Sequence, residues 1–148
     1  MFLGAATLNL DAKGRLAVPA RHREALTAGT DETFVLTAHP HHCLLFYPLA
    51  AWEPMLEGLL AVSSLDEQAA SYRRLLMGYA RPEMLDAAGR VLIAPQLRQW
   101  AELDKQVWLV GQGRHLELWS EAGWQREQQK MGGLSGKPPP PSLQNLVL

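Results

Sequence analysis

Two short segments of this chain have nearly the same sequence, and each places an aspartate four positions before an arginine. They are Asp11-Ala12-Lys13-Gly14-Arg15 and Asp86-Ala87-Ala88-Gly89-Arg90, which begin 75 positions apart (86 minus 11). An aspartate accepts hydrogen bonds from loop amides and a glycine tolerates a left-handed backbone, so each segment predicts a tight turn. An arginine on such a turn can donate paired hydrogen bonds to a guanine edge or to a phosphate. A second reading stays open, in which the arginine only pairs with its own aspartate.

The elements around the two segments repeat as well. Each segment is expected to turn a short hairpin whose second strand leads through a proline, Pro19 or Pro95, into a short helix. The helices are predicted at Ala20 to Thr27 and from Pro95 to near Leu103. A pair of strands follows each helix, at Phe34 to Ala38 with Cys43 to Tyr47, and at Gln106 to Val110 with Leu116 to Trp119. Ser64-Leu65-Asp66-Glu67 has the pattern of a capping box before a connecting helix.

Length and composition restrict the classes of protein to consider. The chain has 148 residues, enough for one domain or for two small halves that share a core. Its formal net charge is −1, so any basic surface has to be local. A single cysteine, Cys43, fits a reducing compartment. No signal peptide or membrane span is evident, so we expect a cytoplasmic protein with no membrane partner.

The duplicated segments, together with the residues around them, resemble the MraZ family of transcriptional regulators over about residues 1 to 130. The resemblance includes the Val-Pro or Ala-Pro and arginine after each segment and the pattern Leu118-Trp119 with Trp124. It also includes the opening Met1 to Ala5 and the segment Arg74 to Ala80. Position 88 departs from the first copy, because it is alanine where the first copy has Lys13.

The resemblance implies a mixed α+β fold. Two AbrB-like swapped-hairpin repeats would interlock into one pseudo-dimeric β-barrel with flanking helices. The expected divisions are repeat 1 at 5–53, connecting helices at 54–81, repeat 2 at 82–125 and a flexible Gly/Pro-rich tail at 131–148.

The resemblance also implies a function, namely sequence-specific binding of double-stranded DNA at promoter direct repeats. The chain would form a ring, an octamer or a dodecamer, associate with the nucleoid and repress its own division and cell-wall operon. It would be no enzyme and would need neither cofactor nor metal. The expected DNA-binding residues are Arg15, Lys13, Arg90, Gly14 and Gly89. Asp11 and Asp86 would order the loops, and Arg21 and Arg23 would contact phosphates.

Three alternatives remain open on the sequence. The histidines of His39 to Cys43 and the thiol of Cys43 are the ligand types that zinc prefers, which would suit a metal site or a small enzyme. Glu83, Asp86 and His115 could serve as acid and base, although no nucleophile or phosphate-binding loop accompanies them. The chain could also be a ring-forming interaction module that does not read DNA.

Overall fold

The protein is a mixed α+β chain, and a computed structural model describes residues 1–63 and 65–148. The strands are β1 (Ala5–Asn9), β2 (Arg15–Ala17), β3 (Phe34–His39), β4 (Cys43–Pro48), β5 (Arg81–Glu83), β6 (Arg90–Leu92), β7 (Gln106–Gly111) and β8 (Leu116–Ser120). The helices are α1 (Ala20–Leu26), α2 (Leu49–Leu60), α3 (Glu67–Gly78), α4 (Pro95–Trp100) and α5 (Glu121–Gly132). Short 3-10 turns cover Thr30–Glu32 and Pro141–Leu143.

The strands of the two halves pair with one another in two antiparallel sheets. The larger sheet has the order β1-β7-β8-β4-β3-β5, and the smaller one consists of β2 and β6. In the larger sheet, β1 lies beside β7 of the second half, and β5 lies beside β3 of the first half. The counterparts in the two halves are β1 and β5, β3 and β7, and β4 and β8. When each strand is replaced by its counterpart, the same order results, read from the opposite edge of the sheet.

The two-stranded sheet packs over one face of the larger sheet. Its inward side chains, Leu16 and Val91, are almost fully buried and join the main core with Leu36, Leu109 and Leu118. Because side chains alternate along a strand, the neighbouring residues of β4, β7 and β8 point to the opposite face. That face carries a second cluster, Cys43, Val110, Trp119 and Trp124, and the last of these belongs to α5.

The hairpins predicted from the sequence are wrong in their strand partners, although both turns form. β1 pairs with β7 rather than with β2, and β5 pairs with β3 rather than with β6. Cross-half pairing lets the three-residue strands β2 and β6 form a ladder that buries Leu16 and Val91 together. Local pairing within each half would leave these short strands without that shared core, and a lone hairpin is marginally stable at best.

The predicted β-barrel is also wrong, because the larger sheet stays open. Its edge strands are β1 and β5, and they do not pair with each other. β5 has three residues, and its central residue, Pro82, has no amide hydrogen to donate to a further strand.

The helix boundaries differ from expectation in several places. The helices α1 and α4 end at Leu26 and Trp100, before the predicted ends at Thr27 and near Leu103. Ser64, predicted as a cap, lies outside the described residues, and α3 is instead capped by Asp66, whose side chain accepts from the Ala69 amide at 3.0 Å. The sequence predicts a tail from Met131 onward, yet α5 continues through Gly132 and ends at Gly133. None of the described helices is long and apolar enough to cross a membrane.

Candidate nucleic-acid interface

The first repeated segment, Asp11 to Arg15 (loop 1), is a turn organised by the carboxylate of Asp11. Oδ1 of Asp11 accepts from the backbone amides of Lys13 and Arg15, both at 2.9 Å. Oδ2 accepts from Nε of the Arg15 side chain at 2.6 Å. Gly14 closes the turn with φ of +84°, a conformation that other residues rarely adopt. One aspartate therefore fixes both the backbone of loop 1 and the direction of its arginine.

The second repeated segment, Asp86 to Arg90 (loop 2), has the same arrangement. Oδ1 of Asp86 accepts from the amides of Ala88 at 2.9 Å and of Arg90 at 2.8 Å. Oδ2 accepts from Nε of Arg90 at 2.9 Å, and Gly89 has φ of +76°. Loop 2 has Ala88 at the position where loop 1 has Lys13. The two loops thus share one geometry, and loop 2 carries one positive charge fewer.

Both aspartates are held in the ionised form by their loops. The amide of Arg15 lowers the pKa of Asp11 below its ordinary value of 3.8, and the Arg15 side chain and the Lys13 amide act in the same direction. The amide of Arg90 lowers the pKa of Asp86 in the same way. Desolvation opposes the shift at both carboxyls but does not reverse it. Both turns therefore keep their charged hydrogen bonds at neutral pH.

The ladder between β2 and β6 brings the two arginines to one exposed face. Arg15 lies opposite Leu92, and Ala17 lies opposite Arg90. All four side chains point away from the core because Leu16 and Val91, between them, point into it. Among the described residues each arginine gives its Nε to its aspartate, and no hydrogen bond is found for its terminal guanidinium nitrogens. These nitrogens remain available to a ligand.

The two loop glycines are covered by arginines from the opposite half of the chain. A Cβ atom added at Gly14 would lie 2.5 Å from Nη1 of Arg98, which belongs to α4. A Cβ added at Gly89 would overlap the guanidinium of Arg23, which belongs to α1. These two arginines occupy corresponding positions in the two halves, because each follows its own loop arginine by the same interval (23 minus 15 and 98 minus 90). No sequence signal indicates that each of them contacts the loop of the other half.

The two predicted phosphate-contacting residues have different surroundings. Arg21 is exposed on α1, and its side chain reaches toward Gly4 near the start of β1. Arg23 is partly buried and donates from Nε to the carbonyl oxygen of Val18 at 2.8 Å. Its guanidinium is therefore engaged with the backbone and with loop 2. Lys13 is exposed on loop 1.

The residues of the predicted zinc site are directed to separate partners. Nδ1 of His39 accepts from the amide of His41 at 3.0 Å. The ring of His42 stacks on the Trp100 ring, with 4.3 Å between the ring centroids. Cys43 is fully buried in the second cluster, and burial raises the pKa of its thiol, which opposes the thiolate that zinc requires. Across residues 1–63 and 65–148, no three metal-ligating side chains lie together.

The residues considered as acid and base are engaged elsewhere. Glu83 accepts from Nε of Arg81 at 3.3 Å, and the ring of His115 stacks on Tyr47 at 4.9 Å. Burial lowers the pKa of His115, and Asp86 is occupied within loop 2. The geometry provides no shared site for these three groups.

The fold and the loops define a class of protein, in which two repeats pair their strands and display one loop arginine each on a common face. The family described as "MraZ protein, putative antitoxin-like" matches residues 1–75 and again residues 76–137. The chain is 58% identical to the "Transcriptional regulator MraZ" of Azoarcus sp. (strain BH72) and 57% identical to that of Aromatoleum aromaticum. Both alignments cover 148 residues and the full length of each chain. The chain belongs to the MraZ family.

Proposed function

We propose that this protein is a transcriptional regulator that binds double-stranded DNA in a sequence-specific way through loop 1 and loop 2. The observation that carries the proposal is the shared exposed face of the β2–β6 ladder, on which Arg15 and Arg90 point outward. Their terminal nitrogens have no hydrogen-bond partner among the described residues. A two-stranded ribbon fits the major groove of DNA, and arginine is the residue that most often reads guanine there. The relatives' names, "Transcriptional regulator MraZ", support the regulatory part of this proposal.

The charge of the interface is small, and this determines how affinity has to arise. Loops 1 and 2 carry three cations, Lys13, Arg15 and Arg90, against the carboxylates of Asp11 and Asp86. The whole chain has a net charge of −1, so one subunit attracts DNA weakly over distance. We propose that several subunits form a ring, an octamer or a dodecamer, and that the ring engages promoter direct repeats together. Linked weak contacts then gain affinity from effective concentration.

The roles of the individual residues follow from their positions. Arg15 and Arg90 contact bases, Lys13 and Arg21 contact phosphates, and Asp11 and Asp86 order the loops. Gly14 and Gly89 supply the positive φ that the turns require. The regulated promoter is that of the protein's own division and cell-wall operon, which the ring represses at the nucleoid in the cytoplasm.

We also propose that the two halves are swapped-hairpin repeats of the AbrB type, at 5–53 and 82–125, joined by the connecting helices of 54–81. The pairing of β1 with β7, of β5 with β3 and of β2 with β6 supports this division. The proposed tail at 131–148, whose first two residues complete α5, is exposed throughout and follows both proposed repeats.

The decisive experiment compares Arg15→Ala with Arg126→Ala, which removes the same charge from α5 on the far side of the sheet. Each protein is titrated by fluorescence anisotropy against a duplex carrying the repeats upstream of its own gene and against a scrambled duplex. Arg15→Ala should weaken specific binding at least about fivefold, since a bidentate base contact contributes about 1–3 kcal/mol. Light scattering should give the same assembly for both variants and for the wild-type protein. Unchanged specific binding by Arg15→Ala would reject the proposal and favour an interaction module that does not read DNA.

A further inference from the structure

We propose that Arg23 and Arg98 are positioning residues that act crosswise, so that each repeat sets the geometry of the DNA-binding loop of the other. This inference rests on the proposed function of loops 1 and 2. Arg98 of the second repeat lies against Gly14 of loop 1, and Arg23 of the first repeat lies against Gly89 of loop 2. Arg23 belongs to α1 and Arg98 to α4, so neither is part of the β2–β6 ladder that carries Arg15 and Arg90.

The burial of the two loop glycines shows how closely the arginines pack against the loops. Gly14 and Gly89 are buried even though the residues before them in each loop are exposed. A Cβ atom at either position would come closer to the arginine than real Cβ atoms come to any neighbour. Each guanidinium therefore fills the space directly beneath the residue whose left-handed backbone shapes the turn.

Backbone hydrogen bonds connect the same elements in the same crosswise sense. The amide of Ile93, at the end of β6, donates to the carbonyl of Gly14 at 3.0 Å. The amide of Val18, at the end of β2, donates to the carbonyl of Gly89 at 2.9 Å. Nε of Arg23 then binds the carbonyl of Val18, so Arg23 holds the same backbone that holds loop 2. Loop position in one repeat is thus fixed by the strand and the helix of the other.

The two supports are not equal. Nε of Arg98 is buried, and it has no hydrogen-bond partner among the described residues, while Nε of Arg23 has the Val18 carbonyl. A buried donor without a partner is costly, so Arg98 gives less net stabilisation than Arg23. We infer that Arg98 supports loop 1 by packing, without a hydrogen bond from its Nε, so that loop 1 adjusts more easily while loop 2 is held more rigidly. Loop 1 also carries the extra cation, Lys13.

The first test needs no DNA. Amide hydrogen exchange is measured on Arg98→Ala, Arg23→Ala and, as a charge-matched control, Arg126→Ala. We expect Arg98→Ala to speed exchange at Lys13 and Arg15 severalfold and to leave loop 2 unchanged, because a local contact controls local opening. Arg23→Ala should do the reverse. Faster exchange in the loop of the variant's own repeat, or equally in both loops, would overturn the crosswise assignment. If Arg23→Ala fails to fold, Arg23→Gln keeps most of the side-chain stem and serves in its place.

The second test asks whether Arg98 and Arg23 affect DNA binding through the loops that they contact. Specific binding is measured at low salt, where weakened variants still bind. Arg98→Ala should weaken specific binding about tenfold in the wild-type and Arg90→Ala backgrounds, but less than about twofold in an Arg15→Ala background, since residues in one network are not additive. Arg23→Ala should lose its effect in the Arg90→Ala background instead. Equal losses in every background would overturn the proposal. Wild-type protein that binds no DNA would reject the proposed function itself, while crosswise exchange would still establish the supports.

Discussion

Arg15 and Arg90 lie diagonally across the β2–β6 ladder, because Arg15 pairs with Leu92 and Arg90 pairs with Ala17. Diagonal neighbours on one face of an antiparallel pair are about 7–8 Å apart. The two arginines thus come from segments 75 positions apart in sequence (90 minus 15) and reach one patch of surface. Under the proposed function, a single subunit would therefore address two neighbouring positions on a duplex.

Arg15 and Lys13 should differ in how salt affects their variants. We expect Arg15→Ala to relax sequence preference, because the variant no longer reads a base, with little change in the salt slope. Lys13→Ala should keep sequence preference and lower the slope of log affinity against log salt by about 0.9 for each phosphate that Lys13 neutralises. Anisotropy titrations at several salt concentrations, with specific and scrambled duplexes, measure both quantities. Identical behaviour of the two variants would contradict the division of roles.

Removing the negative charge of Asp11 should weaken DNA binding rather than strengthen it. Asp11→Ala makes loop 1 more positive, so a purely electrostatic interface would gain affinity. It also removes the acceptor of the Lys13 and Arg15 amides and of the Arg15 side chain, which leaves loop 1 disordered. We expect binding to weaken about tenfold, as for a misplaced base-reading arginine. Glu57 is exposed on α2, away from the loops. Glu57→Ala removes the same charge there and should have little effect on DNA binding.

The stability of the β2–β6 ladder should depend on its inward side chains. Leu16 is fully buried, so Leu16→Ala should lower the free energy of unfolding by about 2–5 kcal/mol. Leu92→Ala removes the same atoms from the outer face, where the side chain is 49% exposed, and should cost less than about 1 kcal/mol. Urea unfolding followed by tryptophan fluorescence measures both values. Equal losses of stability would mean that the ladder does not pack as described.

Stability should fall between pH 6.5 and pH 4 through His39. Burial, together with the charges of His41 and His115, lowers the pKa of His39 from 6.5 to about 4. The unfolded chain therefore binds a proton in this range while the folded chain does not, so acid favours unfolding. The ring is only half buried, so we expect a loss of about 1–2 kcal/mol rather than the full effect of the shift. His39→Gln should flatten the dependence in unfolding experiments across this range, and an unchanged slope would exclude His39 as its source.

The sequence predicted the elements of this fold better than their partners. The strand pairs after each helix, β3 with β4 and β7 with β8, are confirmed because alternation and tight turns are local signals. The partners of β1, β2, β5 and β6 depend on which pairing buries Leu16 and Val91, and this is a property of the whole core. The candidate site shows the same contrast. The spacing of Asp11 and Arg15 is a local signal, and it predicted the turn. The contact of Arg98 with Gly14 joins distant parts of the chain, and it became visible only in the three-dimensional structure.

The exchange of strands between the halves has a consequence for the integrity of the polypeptide. A break between α3 and β5 would leave β1 without β7 in one fragment and β5 without β3 in the other. Separate fragments should then be unfolded alone and regain structure on mixing, as in fragment complementation. Each half acts as the template on which the other completes its sheet, so neither could be deleted from the gene without losing both.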